Sequence, residues 1–346
     1  MEQSHNNLAV IAAAGSRKTQ QIIESALAIE DEPVLITTFT RENQRQIINR
    51  IHDKVGVLPA NISVMGWFAF LISQCSRPCQ RALTGSPGVI KGLNFKGRRN
   101  RFARKRDIVS YYFDSKDAMY RDGVSEFVHH LDAETDGAVM QRLERVYRHI
   151  FVDEVQDLVG YDLEVLDLLF QSASNVTVVG DPRQHTLSTN LGQKNKKYQG
   201  AGFQDWLAER DELCTVEERN ENHRSNQEIC DFADKIYPDL SATTSMQSDT
   251  TGHDGVFFIS EDDVLEYFET YGPVVLRDSR RFECMGLPAR NIGVAKGSTY
   301  DRVLLFPTKP MLRFFDDGDP TKLKAPERLY VAVTRARFSV AVVVPA

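Results

Sequence analysis

Apolar positions along this chain fall into two rhythms. Short, mainly apolar runs at residues 8–14, 34–36, 62–64, 150–152 and 176–179 have the length and composition of strands buried on both faces. Between them, apolar residues recur at helical spacing: Ile22, Ile23, Ala26 and Leu27; Ile47, Ile48 and Ile51; Leu163, Leu166 and Leu169. Pro33 stops the first of these helices. Strand–helix alternation of this kind predicts a parallel sheet covered on both faces. The pattern lapses between residues 72 and 145, where Gly, Pro and Ser punctuate the chain up to about Arg106 and helical spacing follows. A second alternating series begins near Asn220. It predicts a helix opened by Asn222-His-Arg-Ser225, a polar linker at 241–254, strands at 256–259, 274–276 and 303–306, a loop at 278–290, a helix carrying Leu329 through Arg337, and a terminal strand at 340–344. The expected organisation is one sheet domain at 1–71 and 146–218, a helical insertion at 72–145, and a second sheet domain at 219–346.

Composition narrows the function classes. At 346 residues the chain can bury two cores, and its net charge of −6 excludes a global basic field. Nucleic-acid contact therefore depends on local patches. One candidate is the run 91–106, which holds eight Lys and Arg residues, Lys96, Arg98 and Arg99 among them, with Phe95 and Phe102 between them. Such a run is commonly a solvated face. The interleaved aromatics in an otherwise acidic chain favour a nucleic-acid or acidic partner. Five cysteines without C-x-x-C spacing suit a reducing compartment rather than a zinc site. The polar N-terminus and the lack of a long apolar run predict a cytoplasmic protein without membrane contact.

Candidate chemistry gathers at strand ends. The first apolar run ends in Ala14-Gly-Ser-Arg-Lys-Thr-Gln20, a strand–loop–helix layout in which backbone N–H groups and a helix N-terminus face an anion. Lys18 is the candidate for the phosphates, and Thr19 for Mg²⁺. The strand at 149–153 ends in two carboxylates, Asp153 and Glu154, which can hold Mg²⁺ and polarise water respectively. Gln184 follows another strand end and offers an amide to a γ-phosphate, while Arg224 and Arg335 are candidate arginine fingers from the second series. Each has a plainer alternative. The acidic pair can be a helix cap, Gly180-Asp-Pro a turn, and an arginine on a helix a solvated residue.

Taken in order, these residues resemble a superfamily 1 DNA helicase of the UvrD/Rep/PcrA type. Ala12 to Thr19 resembles that family's A-x-A-G-S-G-K-T loop, and Thr37-Thr-Phe-Thr40 resembles motif Ia, with Trp67-Phe-Ala-Phe70 at the place of motif Ib. Asp153-Glu-Val-Gln-Asp157 resembles motif II, Gly180-Asp-Pro-Arg-Gln184 motif III, Asn222-His-Arg-Ser225 motif IV, Ala295-Lys-Gly297 motif V, and Tyr330 to Arg337 motif VI. The resemblance implies an α/β P-loop NTPase with two RecA-like domains, a small 1B-type insertion and no 2B-type domain. It implies ATP and Mg²⁺ bound between the domains and single-stranded DNA crossing them with 3′-to-5′ polarity. The ATP-binding residues would be Ala14 to Gln20, Arg17 included, and the DNA path would use Thr38, Phe39, Thr40, Trp67, Lys96, Arg98, Arg99 and Tyr198.

Some positions depart from the family pattern. Arg17 stands where Gly tolerates positive φ, no aromatic follows Gln184 within His185 to Thr189, and Thr299 replaces the motif V glutamate. Tyr198 or Trp206 would have to supply the missing aromatic; for Trp206 a core role is the expectation. The small size further resembles helicase subunits of Gabija-type anti-phage systems, which implies an OLD-type nuclease or another protein subunit as partner. The leading expectation is an ATP-dependent single-stranded DNA translocase or helicase in defence or repair. The alternative is a nucleotide-gated regulatory subunit that binds ATP and a protein without processive unwinding.

Overall fold

The computed structural model describes residues 6–99, 102–186, 189, 192 and 194–345; Arg101 of the basic run, together with Leu187, Ser188 and Asn190 of the stretch after Gln184, lies outside them. The chain divides into two units. The first comprises Met1–Ile11, Lys18–Pro182 and Leu187–Glu217, and the second Ala12–Arg17, Arg183–Thr186 and Glu218–Ala346.

The first unit is built on a six-stranded sheet in the order Ile62–Gly66, Val34–Thr38, His149–Asp153, Asn175–Gly180, Leu8–Ala12 and Thr215–Arg219. The pairings Leu8–Ala12 with Asn175–Gly180, that strand with His149–Asp153, and Val34–Thr38 with both its neighbours are all parallel. Every residue of Val34–Thr38 is buried, which is why its sequence reads as continuous rather than alternating. Local chemistry sets the helix ends. The helix Arg41–Val55 starts where the Thr40 hydroxyl accepts the Asn43 N–H at 3.1 Å, and it stops at Gly56, whose φ of 79° is left-handed. Side chains from 72–145, such as Tyr112, Phe127, Leu131 and Leu143, belong to the same apolar cluster as Leu35, Ile150 and Val178 of the sheet.

The second unit carries a five-stranded, wholly parallel sheet in the order Gly255–Ser260, Ala336–Val344, Tyr300–Phe306, Val274–Arg277 and Ala289–Asn291. Ala289–Asn291 is thus a strand within the stretch expected to be loop up to Arg290. The helix expected to carry residues 329–337 is shorter: it spans Pro326–Val333, and Ala336 already starts a strand. Thr334 ends it by giving both its N–H and its hydroxyl to the Tyr330 carbonyl, at 3.0 and 2.7 Å. Within the linker at 241–254, Thr244–Ser245 pairs with Glu221–Asn222.

Candidate nucleotide site and nucleic-acid surface

In the first unit, the helix Lys18–Leu27 and the strand His149–Asp153 bring the loop's last residues to the acidic strand end. The Thr19 hydroxyl donates to Asp153 Oδ2 at 3.0 Å. Asp153 is 4% exposed, and its carboxyl is pushed up to about 7 by burial first and by the neighbouring Glu154 charge second; the Thr19 hydroxyl and the Lys18 ammonium pull it down. A hydroxyl and a carboxylate in hydrogen-bond contact form an all-oxygen donor set, which suits a hard cation such as Mg²⁺ that takes its remaining ligands from phosphate and water. Among the described residues no cluster of three or more His, Cys, Asp or Glu side chains is placed to cage a metal.

Glu154 sits at φ 58°, in the left-handed region that ordinary residues avoid. Its N–H donates to Asp153 Oδ1 at 3.0 Å, and its carboxylate accepts from the Gln156 side-chain amide. The other end of that amide, Gln156 Oε1, accepts the Asp181 N–H at 3.1 Å. Gly180 makes room for this, since a Cβ there would fall 2.5 Å from Gln156 Oε1. One buried side chain therefore ties the carboxylate after one strand to the turn after the next. Gln156 was visible only as one letter of a motif; its bridging role depends on two strand ends being neighbours.

In the second unit, the loop segment Ala12–Arg17 is gripped from behind. Ala14 is buried and gives its N–H to the Tyr330 hydroxyl at 3.3 Å. The His223 N–H donates to the Gly15 carbonyl at 3.0 Å, and a Cβ on Gly15 would lie 2.2 Å from Asn222 Oδ1. That Asn222 oxygen also accepts the N–H groups of Arg224 and Ser225. Gly15 and Arg17 both have positive φ, 78° and 61°, so Arg17 adopts the conformation its position demands. The Ser16 hydroxyl is buried without a hydrogen-bond partner, a donor suited to an anion. Gln20, by contrast, spends its amide on Glu24 one helical turn on, at 2.8 Å.

The amide and arginines expected near a γ-phosphate lie in this same unit. Gln184 Oε1 accepts from Arg335 Nη2 at 3.2 Å, and Lys296 Nζ donates to the Gln184 carbonyl at 3.2 Å. Arg335 is 2% exposed, with its other nitrogens on the carbonyls of Val331 and Ser298. Arg224 Nη1 donates to the Thr334 carbonyl at 2.8 Å. Asn222 and Tyr330 were named from sequence only as the first letters of motifs IV and VI, with no role assigned to either.

The expected nucleic-acid residues separate into two groups. Trp67 is 1% exposed and gives its indole N–H to Asp162 Oδ1 at 2.6 Å, and Tyr198 is buried with its hydroxyl on Glu209. Both rings are interior, packed within the first unit rather than presented at its surface. Trp206 is a core residue, as expected. Arg99 is paired with buried Glu126 at 2.7 Å, and Thr40 caps a helix. Thr38 is buried at a strand end with a hydroxyl that has no partner. Phe39, Lys96 and Arg98 remain outward or half-buried, and Phe39 meets Phe68 edge-on at 6.0 Å.

Comparison with known proteins agrees with this geometry. The profile of the UvrD/REP helicase N-terminal domain matches residues 91–188, which include both strand ends bridged by Gln156. Among solved structures, the Arterivirus nonstructural protein 10 (helicase) is similar at 18% identity with a TM-score of 0.51, over 99% of this chain and 60% of that one. The same Arterivirus helicase in complex with DNA is similar at 17% identity, again with a TM-score of 0.51, over 98% and 60%. No curated protein matches the chain. The chain spans about 60% of the length of these helicase structures, and at such identity the likeness is one of fold: an α/β architecture of parallel sheets with helicase neighbours.

Proposed function

We propose that this chain is an ATP-hydrolysing motor of the helicase type that acts on single-stranded nucleic acid. The observation that carries the reading is the contact of the Thr19 hydroxyl with Asp153, which joins the end of a phosphate-type loop to a buried acidic strand end. The match to a UvrD/REP helicase domain and the fold shared with a helicase described in complex with DNA support it.

In this mechanism Lys18 and the Ser16 hydroxyl would bind the phosphates, and Thr19 and Asp153 would hold Mg²⁺, which would supply charge neutralisation on the transferred phosphoryl group. Glu154 orients the attacking water and takes its proton, and Gln156 holds that carboxylate in place through its amide. By the resemblance of their motifs, Gln184 would contact the γ-phosphate, and Arg224 and Arg335 would offset the charge that develops there. The finer assignment is ATP-driven movement along single-stranded DNA from 3′ to 5′, in the cytoplasm, with an OLD-type nuclease or similar subunit as partner in defence or repair. That part rests on the resemblance of motifs and size.

A second reading, a nucleotide-gated switch, is favoured by one observation: the loop carries Arg17 at φ 61° where the helicase pattern has glycine. ATP hydrolysis measured with and without single-stranded DNA over a salt series separates the two. Strong stimulation that weakens steeply with salt fits the motor, and unstimulated hydrolysis or binding without turnover refutes it in favour of the switch.

A further inference from the structure

Phe95 is 56% exposed and is the outer member of a row of three aromatic rings. Phe39 meets Phe68 at 6.0 Å, and Phe68 meets Phe95 at 5.6 Å with the ring planes at 89°. Phe68 is 6% exposed, so the buried middle ring anchors Phe95 on one side only. A single exposed aromatic needs no explanation. This one, however, borders a cavity of about 200 Å³ lined also by Lys96, Gly97, Arg98, Arg121 and Asp122.

The loop that carries these residues is built rather than slack. The Gly97 N–H donates to Asn94 Oδ1 at 2.7 Å, and Asn94 Nδ2 donates to Asp114 Oδ2 at 2.7 Å. A Cβ on Gly97 would sit 2.4 Å from Asn94 Nδ2, so any larger residue there would displace the Asn94 amide. The cations of the basic run also divide cleanly. Arg99 and Lys105 both pair with buried Glu126, at 2.7 and 3.3 Å, and the Arg99 guanidinium lies over the Tyr111 ring at 4.3 Å. Lys96 and Arg98 instead line the cavity. Across from them Arg121 lies beside Asp122, with Nε to Oδ1 at 3.2 Å.

A planar apolar face beside Lys96 and Arg98 asks for a ligand with a flat ring and repeating negative charge. An acidic peptide satisfies the cations and leaves the ring without a partner. A cavity smaller than the roughly 300–1,000 Å³ of sites for drug-sized ligands suits one base. We infer that Phe95, Lys96 and Arg98 form a one-nucleotide pocket for single-stranded nucleic acid, with the base stacked on Phe95 and the adjoining phosphates against the two cations, while the Arg121–Asp122 pair closes the far wall. The inference deepens the nucleic-acid reading above and rests on it.

The test uses the full chain and a short oligothymidylate carrying a single 2-aminopurine, titrated without ATP. Wild type binds and quenches the probe. Phe95→Ala loses the quench and binds about 5- to 150-fold more weakly, the range expected when one stacked base loses its aromatic partner. Phe95→Leu keeps the apolar contact with Phe68 and loses the quench as well. Lys96→Ala and Arg98→Ala each reduce the salt slope of binding by about 0.7, the value for one phosphate contact on a single strand. The same series on oligouridylate tells DNA from RNA: equal quench assigns the pocket to either nucleic acid, and quench with DNA alone assigns it to DNA. Affinity within twofold of wild type and an unchanged quench in Phe95→Ala refute the pocket, even where DNA still stimulates ATP hydrolysis. No binding of either probe by wild type overturns the pocket and the nucleic-acid reading together.

Discussion

Arg17 offers the sharpest test of the loop geometry, because its cost can be worked out from its backbone. At φ 61° a non-glycine residue pays about 1–2 kcal/mol relative to right-handed backbone. Glycine escapes that strain but loses about 0.5–1 kcal/mol more conformational freedom on folding. Arg17→Gly is therefore expected to be about 0–1.5 kcal/mol more stable than wild type. Arg17→Ala keeps the strain and removes only an exposed side chain, so it stays within about 0.5 kcal/mol of wild type. Arg17→Val places a β-branched residue where such residues are outliers and is the least stable of the series. Thermal unfolding without nucleotide reads the order Gly, then Ala and Arg together, then Val, at about 2–4 °C per kcal/mol for units of this size. Nucleotide affinity behaves differently. Gly and Ala both delete the guanidinium and both weaken ATP binding by up to about fivefold, the scale of one exposed ion pair, with the loss fading at high salt. If Val matches Gly in stability, the loop does not hold Arg17 in a left-handed conformation in solution, and the strain argument fails.

Three further outcomes follow from the same coordinates. Lys18→Ala is expected to abolish ATP hydrolysis, whereas Gln156→Ala lowers kcat by about 10- to 100-fold with little change in the KM for ATP, since Gln156 positions Glu154 rather than the nucleotide; wild-type turnover in Lys18→Ala refutes the cradle. Asp162 accepts hydrogen bonds from Trp67, Ser125 and Thr189, all buried, so Asp162→Ala should cost at least about 2–3 kcal/mol in urea unfolding. Burial holds the Asp162 carboxyl above its ordinary 3.8, so the folded chain keeps a proton that the unfolded chain releases. The stability it contributes is therefore complete below about pH 4 and declines as pH rises through the raised value, a slope that Asp162→Asn removes. Finally, Trp67 and Trp206 are both buried, so saturating single-stranded DNA is expected to leave intrinsic tryptophan fluorescence essentially unquenched; strong quenching shows that one of these rings reaches a base.

The sequence was most informative where chemistry sits at the end of a strand. A buried strand is a short apolar run, and the residue just past it is fixed to one sheet edge, so Thr19, Asp153 and Glu154 were readable as neighbours in kind before any contact was known. Orientation was less legible. Trp67 and Phe39 occupy similar motif contexts, yet one ring turns inward to a carboxylate 95 residues away and the other stays half-buried near the surface. The basic run gave its charge but not its pairing, because Glu126 meets Arg99 and Lys105 only through a fold that brings distant turns together. The helix misread as reaching Arg337 has the same cause. Residues 334–337 suit a helix locally, and the slot between Gly255–Ser260 and Tyr300–Phe306 claims them from Ala336 onward.

That slot has a consequence for how the second unit comes into being. Ala336–Val344 is the last of its five strands in the chain and the only described hydrogen-bonding partner of Gly255–Ser260 in the sheet order. During synthesis the strand made first must wait some eighty residues for its partner, its backbone donors and acceptors meanwhile open to solvent or to another chain. Parallel pairing across such separations is slow to form. The five-stranded sheet therefore cannot close until Ala336–Val344 has been made, and until then the edges it will join stay open to wrong partners.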